Sequence, residues 1–383
     1  MRTIVLAVTG VVAGIATSAL YAVTRRSRGS RRMSRGSVAH EGGALPEGPG
    51  TSSTSPAAGD VAACRAKVPV EPKLVTTKTG RGGPFYTGQD PTLIAWLKSY
   101  LEKKASAATG EAKRGTLAFA SLQGREGSTA AINGWDDQVF TWGTGWSGLG
   151  GLPGVMKRLV AASPAVVKRL ADCGVRYVGD GVWSVEDSSG KVVTGKKEAL
   201  EVIRSTPALV NLFIDLAKDP ATREAVADAQ LGAFLATSAS IPGSETIGTQ
   251  ALYTFATHLA HWAPGWAKPA VKAAAAQVPG DPSADRDVRL APAIVAAFYE
   301  AAPAKSYVVT GWNQLKGYVR DMAKDGLDVT GDPVLSASSP PGKTPIAGFP
   351  LALRHVPSQE TIDLALELAG LGASGAYGRG MRR

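Results

Sequence analysis

Residues 117–145 read LAFASLQGREGSTAAINGWDDQVFTWGTG. The opening of this stretch is helical in pattern, with Leu117, Ala118, Ser121 and Leu122 on one side. The pattern runs out at Gly124, two positions before Glu126. From Ser128 onward it becomes strand-like. Asn133-Gly134 is a tight-turn signal, and Val139 and Thr141 are β-branched residues suited to a strand. A short helix that gives out at a glutamate and passes into a hairpin is the arrangement around which the rest of the chain is read.

Upstream, Asp90-Pro91 predicts a helix N-cap followed by proline at the first helical position. Leu93, Trp96, Leu97, Tyr100 and Leu101 then recur at helical spacing. Residues 106–115 are polar and read as a loop. Downstream, a second hairpin is predicted over 175–193. Val175, Tyr177, Val178, Val182 and Trp183 form one arm and Lys191, Val192 and Val193 the other, with Ser188-Ser189-Gly190 as the turn. The remainder reads as helices over 197–204, 207–217, 220–236, 249–261, 292–301 and 309–324, with a late helix starting at Ser358 and stopping at Gly370. The balance predicts an α+β fold, mostly helical, with a small hairpin forming one wall of a cleft.

The chain divides into four segments. Residues 1–24 are apolar and read as a signal or membrane anchor. Residues 25–84 are basic, then rich in Gly, Ser and Pro, and read as a solvated linker that cannot bury enough surface to offset its ordering entropy. Residues 85–330 form the folded domain, and 331–383 a Pro/Gly-rich segment with a C-terminal helix. The apolar run over 3–23 is long enough to span a bilayer but is diluted by Gly10, Gly14, Thr17 and Ser18. It is compatible with a cleaved signal, a retained anchor, or a weak anchor that later leaves the membrane. The cluster Arg25, Arg26, Arg28, Arg31, Arg32 and Arg35 favours a cytoplasmic flank, against export of the domain C-terminal to it.

The net charge of +10 suits an anionic partner, and much of it lies in that cluster. Cys64 and Cys173 are either one disulfide in an exported chain or two unrelated thiols, and no Cys-x-x-Cys pair supports a structural zinc site. The glycines at 143, 145, 148, 150, 151 and 154 are not followed by Gly-Lys-Ser/Thr, which argues against a phosphate loop. No Gly-x-Ser-x-Gly elbow supports a serine hydrolase. His258 and His261 stand at metal-ligand spacing, but no third ligand is evident and helix packing explains them better.

Glycosidic cleavage needs an acid to protonate the leaving oxygen. It also needs a second group to stabilise the developing cation, hold a water or attack. A glutamate at a helix end among apolar neighbours is a good acid, because desolvation favours its protonated form. The order Gly124-Arg125-Glu126-Gly127, Trp135-Asp136-Asp137-Gln138, Thr141-Trp142-Gly143-Thr144-Gly145 resembles the active-site region of phage-type lysozymes (endolysins). In that family a helix ends in Glu-Gly, and a hairpin follows with an aspartate and then Thr-x-Gly-x-Gly. The Glu-to-Thr span agrees with the family's, while the aspartate is displaced by one position. Trp146 stands where the family often has histidine. The likeness covers about 30 residues. Chitosanases, which share the lysozyme-like core, are a more distant match.

The resemblance implies a muramidase acting on the β-1,4 bonds of peptidoglycan, placed in the cell envelope or carried by a phage or injection system. Glu126 would be the general acid, and Thr141 would orient water or substrate. The second carboxylate falls on Asp136 by spacing. It falls on Asp137 by strand alternation, which would put Asp137, Val139 and Thr141 on one face. Trp135, Trp142, Trp146 and Gln138 are candidate substrate contacts, aromatic faces being suited to sugar rings as well as to core packing. No metal or organic cofactor and no nucleic-acid partner are expected. A non-catalytic glycan-binding or assembly protein of the same fold is the rival.

Overall fold

The computed structural model describes residues 58–76, 82–124, 127–135 and 138–301. The apolar run over 3–23, the helices expected over 309–324 and after Ser358, and the 331–345 segment lie outside the described residues. Among those described, no helix is long and apolar enough to cross a membrane.

The fold is α+β and mostly helical, with about 60% of the described residues in helix and two small antiparallel sheets among them. In chain order the elements are α1 (Ala58–Lys67), β1 (Phe85–Tyr86), α2 (Pro91–Ala107), α3 (Gly110–Leu122), β2 (Ile132–Asn133), β3 (Thr141–Trp142), β4 (Trp146–Ser147), α4 (Leu152–Ala162) and α5 (Pro164–Asp172). A second sheet comes next, of β5 (Val175–Gly179), β6 (Val182–Glu186) and β7 (Val192–Gly195). The chain closes with α6 (Lys197–Ser205), α7 (Pro207–Lys218), α8 (Arg223–Ser238), a 3₁₀ turn at Ser244–Thr246, α9 (Gln250–Trp262), α10 (Pro264–Gln277) and α11 (Ala284–Ala301).

Helix α7 is the hub. Leu209, Val210, Leu212, Phe213, Ile214 and Leu216 leave it apolar around most of its circumference, the pattern of a buried helix. Phe213 receives the edges of Phe140 and Trp142 near the first sheet, at 5.1 and 5.0 Å, and of Trp183 from the second at 6.2 Å. Helix α2 begins where the sequence predicts: the Asp90 carboxylate accepts from Thr92 N and Leu93 N at 2.9 and 3.1 Å.

Several expectations are corrected. The linker assigned to 25–84 is ordered over 58–76, where tertiary bonds stand in for local hydrophobic periodicity. Cys64 is disulfide-bonded to Cys173, with Cα atoms 5.2 Å apart. Val61 is buried, and Arg65 Nε donates to Cys173 O at 3.0 Å. Further along, the Glu71 carboxylate accepts from Lys218 Nζ at 2.9 Å, and Lys218 also pairs with Asp90 at 2.7 Å. Burial alone would raise the Glu71 carboxyl, but bonds from Lys218, the Lys73 backbone N–H and the Tyr86 hydroxyl hold it below the usual range. Burial, with the charges of Glu71 and Asp90, pushes the Tyr86 phenol up to about 12 against the opposing Lys218 charge.

Helix α3 begins at Gly110, inside the stretch read as a loop. The second hairpin is a three-stranded meander, because Asp180-Gly181, both with positive φ, makes an additional turn between β5 and β6. Helices α4, α5 and α10 were not anticipated, and α11 starts at Ala284 rather than at Pro292. Helix α10 is rich in alanine and carries Pro269 inside it, which leaves little periodic signal.

Candidate functional site

The helix-to-sheet passage is built from two glycines. Helix α3 buries Ala118, Phe119 and Leu122 and ends with Gln123 in extended backbone. Gly124 is left-handed, φ +80°, and its N–H donates to Gly127 O at 2.6 Å. Gln89 Nε2 donates to Gly124 O at 2.6 Å. Gly127, φ +127°, lies so close to Thr87 O and Ala131 that an added Cβ would sit 2.9 Å from each. Gly124 and Gly127 are thereby each held in place. Glu126 itself, with Asp136 and Asp137, lies outside the described residues.

The first sheet has the order β1-β2-β3-β4, all antiparallel. Phe85 pairs with Asn133, Asn133 with Thr141, and Thr141 with Ser147. Directly opposed residues share a face, so Phe85, Asn133, Thr141 and Ser147 form one row, polar in its last three members. Tyr86, Ile132, Trp142 and Trp146 form the apolar row on the opposite face. Thr141 is buried, and its Oγ1 has no hydrogen-bond partner among the described residues. A buried hydroxyl without a partner costs about 1–3 kcal/mol, and such groups call for a reason.

Asn133-Gly134 does not form the two-residue hairpin turn expected. The β2–β3 connection runs from Gly134 to Phe140, and Asn133 Oδ1 instead accepts from Trp135 N at 3.2 Å. Near the end of that connection Val139 has φ +68°, and Phe140 N bonds to Gln138 O at 2.8 Å across it. This is a γ-turn of the rare, strained kind, adopted by a β-branched residue. Regular strand alternation therefore does not extend back from Thr141 through Val139, and the face count that favoured Asp137 fails.

The tight turn of this sheet is Gly143-Thr144-Gly145, joining β3 to β4. Both glycines have positive φ, +65° and +89°. Side chains from three helices meet this turn. Gln230 of α8 is fully buried, donates to Thr129 O at 3.0 Å, and lies where a Cβ on Gly143 would fall 2.3 Å from its Oε1. His261 of α9 bonds through Nε2 to Thr144 O at 2.5 Å. Gln123, the C-cap of α3, donates to Thr144 Oγ1 at 3.3 Å. Burial holds the His261 imidazole below its usual pKa, with the Thr144 carbonyl opposing that shift.

The aromatic expectations are corrected in part. Trp142 has no exposed surface and packs on Phe213, and Trp146 is 5% exposed with its ring against His261 at 4.6 Å. Both serve the core, because the strand turns their face inward. Trp135 and Gln138 are half-buried. His258 Nε2 bonds to Ala118 O at 2.8 Å, so this imidazole, like that of His261, faces a main-chain carbonyl. Among the described residues no group of three or more His, Cys, Asp or Glu is placed to hold a metal ion.

Asn133 and Ser147 had not been selected as site residues, nor had Gln123, Gln230 and His261 as its supports. For Gln230 a signal existed: it is spaced with Val226, Ala227 and Phe234 on the buried side of α8. A glutamine on an apolar face needs a buried partner. No family model, curated protein or solved structure matches this chain.

Proposed function

We propose that this chain is a lysozyme-like glycan hydrolase that cleaves β-1,4 bonds of peptidoglycan in the cell envelope. One observation carries the proposal. Helix α3 gives out just before Glu126 and passes into a short antiparallel sheet whose Thr-x-Gly-x-Gly segment is the β3–β4 strand and turn. That is the order of parts which the resemblance to phage-type lysozymes implies.

The chemistry assigned to these parts is acid catalysis. Glu126 protonates the leaving oxygen, and Asp136 or Asp137 stabilises the developing cation, positions a water or attacks. The Thr141 hydroxyl, buried and without a partner among the described residues, orients the water or substrate. Neither a metal nor an organic cofactor is required. The Cys64–Cys173 disulfide supports residence in an oxidising compartment, as an envelope enzyme would have.

A rival, non-catalytic glycan binder is favoured by the displaced aspartate and by Trp146 standing where the family often has histidine. The two are separated by a turbidity assay on purified cell wall with the full-length chain and its Glu126→Gln form. Clearing by the former and not the latter is expected. Equal clearing by both would end the assignment of Glu126. Wall binding without clearing by the unaltered chain would favour the rival, and release from chitosan rather than peptidoglycan would move the substrate to that polymer.

A further inference from the structure

Strands β3 and β4 have two residues each, paired Thr141 to Ser147 and Trp142 to Trp146. A hairpin this short does not hold its own conformation in water. Its turn is two glycines flanking Thr144, and glycine has the widest choice of backbone states. Pairing of β3 with β2 and the bond from Gly143 N to Ala131 O hold one side of this segment; on the other side, side chains that grip the turn from outside fix the direction of the Thr141 hydroxyl.

We infer that Gln230 and His261 are positioning residues for the site: they clamp the Gly143–Gly145 turn from α8 and α9 and so set where Thr141 points. This rests on the hydrolase proposal above. The contacts are directed at the main chain of the site segment. Gln230 bonds to Thr129 O, and its amide fills the space that any side chain at 143 would need. His261 bonds to Thr144 O. A carbonyl only accepts, so Nε2 carries the hydrogen, and burial favours the neutral ring with that donor. Gly145 lies directly on the same ring, an added Cβ there falling 3.2 Å from His261 Nε2. The ring also meets the edge of Trp146 on β4. Turn and following strand are thus fixed by one side chain.

His258 provides a matched comparison. It lies on α9 one turn earlier, is more deeply buried than His261, and makes the same kind of bond, but to Ala118 O of α3 rather than to the turn. A role in stability alone would make His258, the more buried of the two, at least as sensitive to replacement as His261. A positioning role separates them.

The test is steady-state hydrolysis of soluble peptidoglycan fragments by the full-length chain, with melting temperature measured on every variant. His261→Leu and Gln230→Leu should lower kcat by about tenfold or more with KM within about twofold. His258→Leu should lose at least as much stability and keep kcat within about threefold. Glutamine reaches the Nε2 position of histidine and asparagine does not. His261→Gln should therefore recover most of kcat, whereas His261→Asn should not, and that pair serves if the leucine form fails to fold. Equal kcat losses at 258 and 261, or equal activity of the Gln and Asn forms, would overturn the inference alone. No hydrolysis by the unaltered chain would overturn the hydrolase proposal and this inference with it.

Discussion

Cutting the Cys64–Cys173 bond should cost this protein a large share of its stability. The cross-link spans 109 residues, and closing a loop of that length removes about 16 cal/mol/K from the unfolded ensemble, about 5 kcal/mol at 25 °C. The native state keeps Arg65 on Cys173 O and Val61 in the core, so it has a defined strap to lose. The assay is urea unfolding followed by tryptophan fluorescence, on the oxidised chain, on the same chain under reductant, and on the Cys64→Ala/Cys173→Ala form. The reduced and double-alanine forms should both lose about 3–5 kcal/mol. At roughly 2–4 °C per kcal/mol for a domain of this size, their melting temperatures should fall by about 6–20 °C. The reduced form isolates the cross-link, since it keeps both sulfur atoms in place. A loss below about 1 kcal/mol on reduction would refute the reasoning, because α1 would then be held by packing alone.

Three further outcomes are expected. Lys218→Met leaves the Glu71 and Asp90 carboxylates without their shared cation and should cost about 2 kcal/mol at neutral pH, discounted for partial exposure. Both carboxyls are held below their usual values. They stabilise the fold fully above about pH 4.5, and that stability is lost as pH falls through their folded-state values. The variant should therefore show a flatter acid limb in a pH series of urea melts, and parallel limbs would contradict the clasp. Gly143→Ala forces a Cβ onto the Gln230 amide at positive φ and should cost at least about 2 kcal/mol in the same measurement; a neutral effect would mean that the turn is not gripped as described. Val139→Gly should cost about 1–2 kcal/mol less than Val175→Gly, because the strained left-handed backbone is relieved as the buried side chain is lost. Equal costs would argue against strain.

The sequence was most legible where one local signal decides one element. Asp90-Pro91 places the start of α2, and the apolar spacing in 207–218 places α7, because a cap and a periodic face act within a few residues. It was least legible where distant partners do the ordering. Residues 58–76 look like a tether because their anchors, Cys173, Asn211 and Lys218, lie 109 or more positions away. In the site, the helix end and the Thr141 segment could be picked out by residue order. The inward face of Trp142 and Trp146 could not, since it depends on a register that the γ-turn at Val139 resets. The partners of Gln230 and His261 were hidden for the same reason as the strap, being 101 and 117 positions distant, although the place of Gln230 on an apolar helix face was readable.

The central claim is that Glu126 donates a proton in cleaving the glycan strand. Its most direct measurement is the appearance of new reducing ends. Purified peptidoglycan is digested with the full-length chain and, in parallel, with Glu126→Gln, then reduced with borohydride and resolved by mass. The account predicts soluble fragments ending in reduced muramic acid from the unaltered chain and a loss of at least about a hundredfold in their rate of release by the glutamine form. Equal release by both, or no new reducing ends from the unaltered chain, would contradict it.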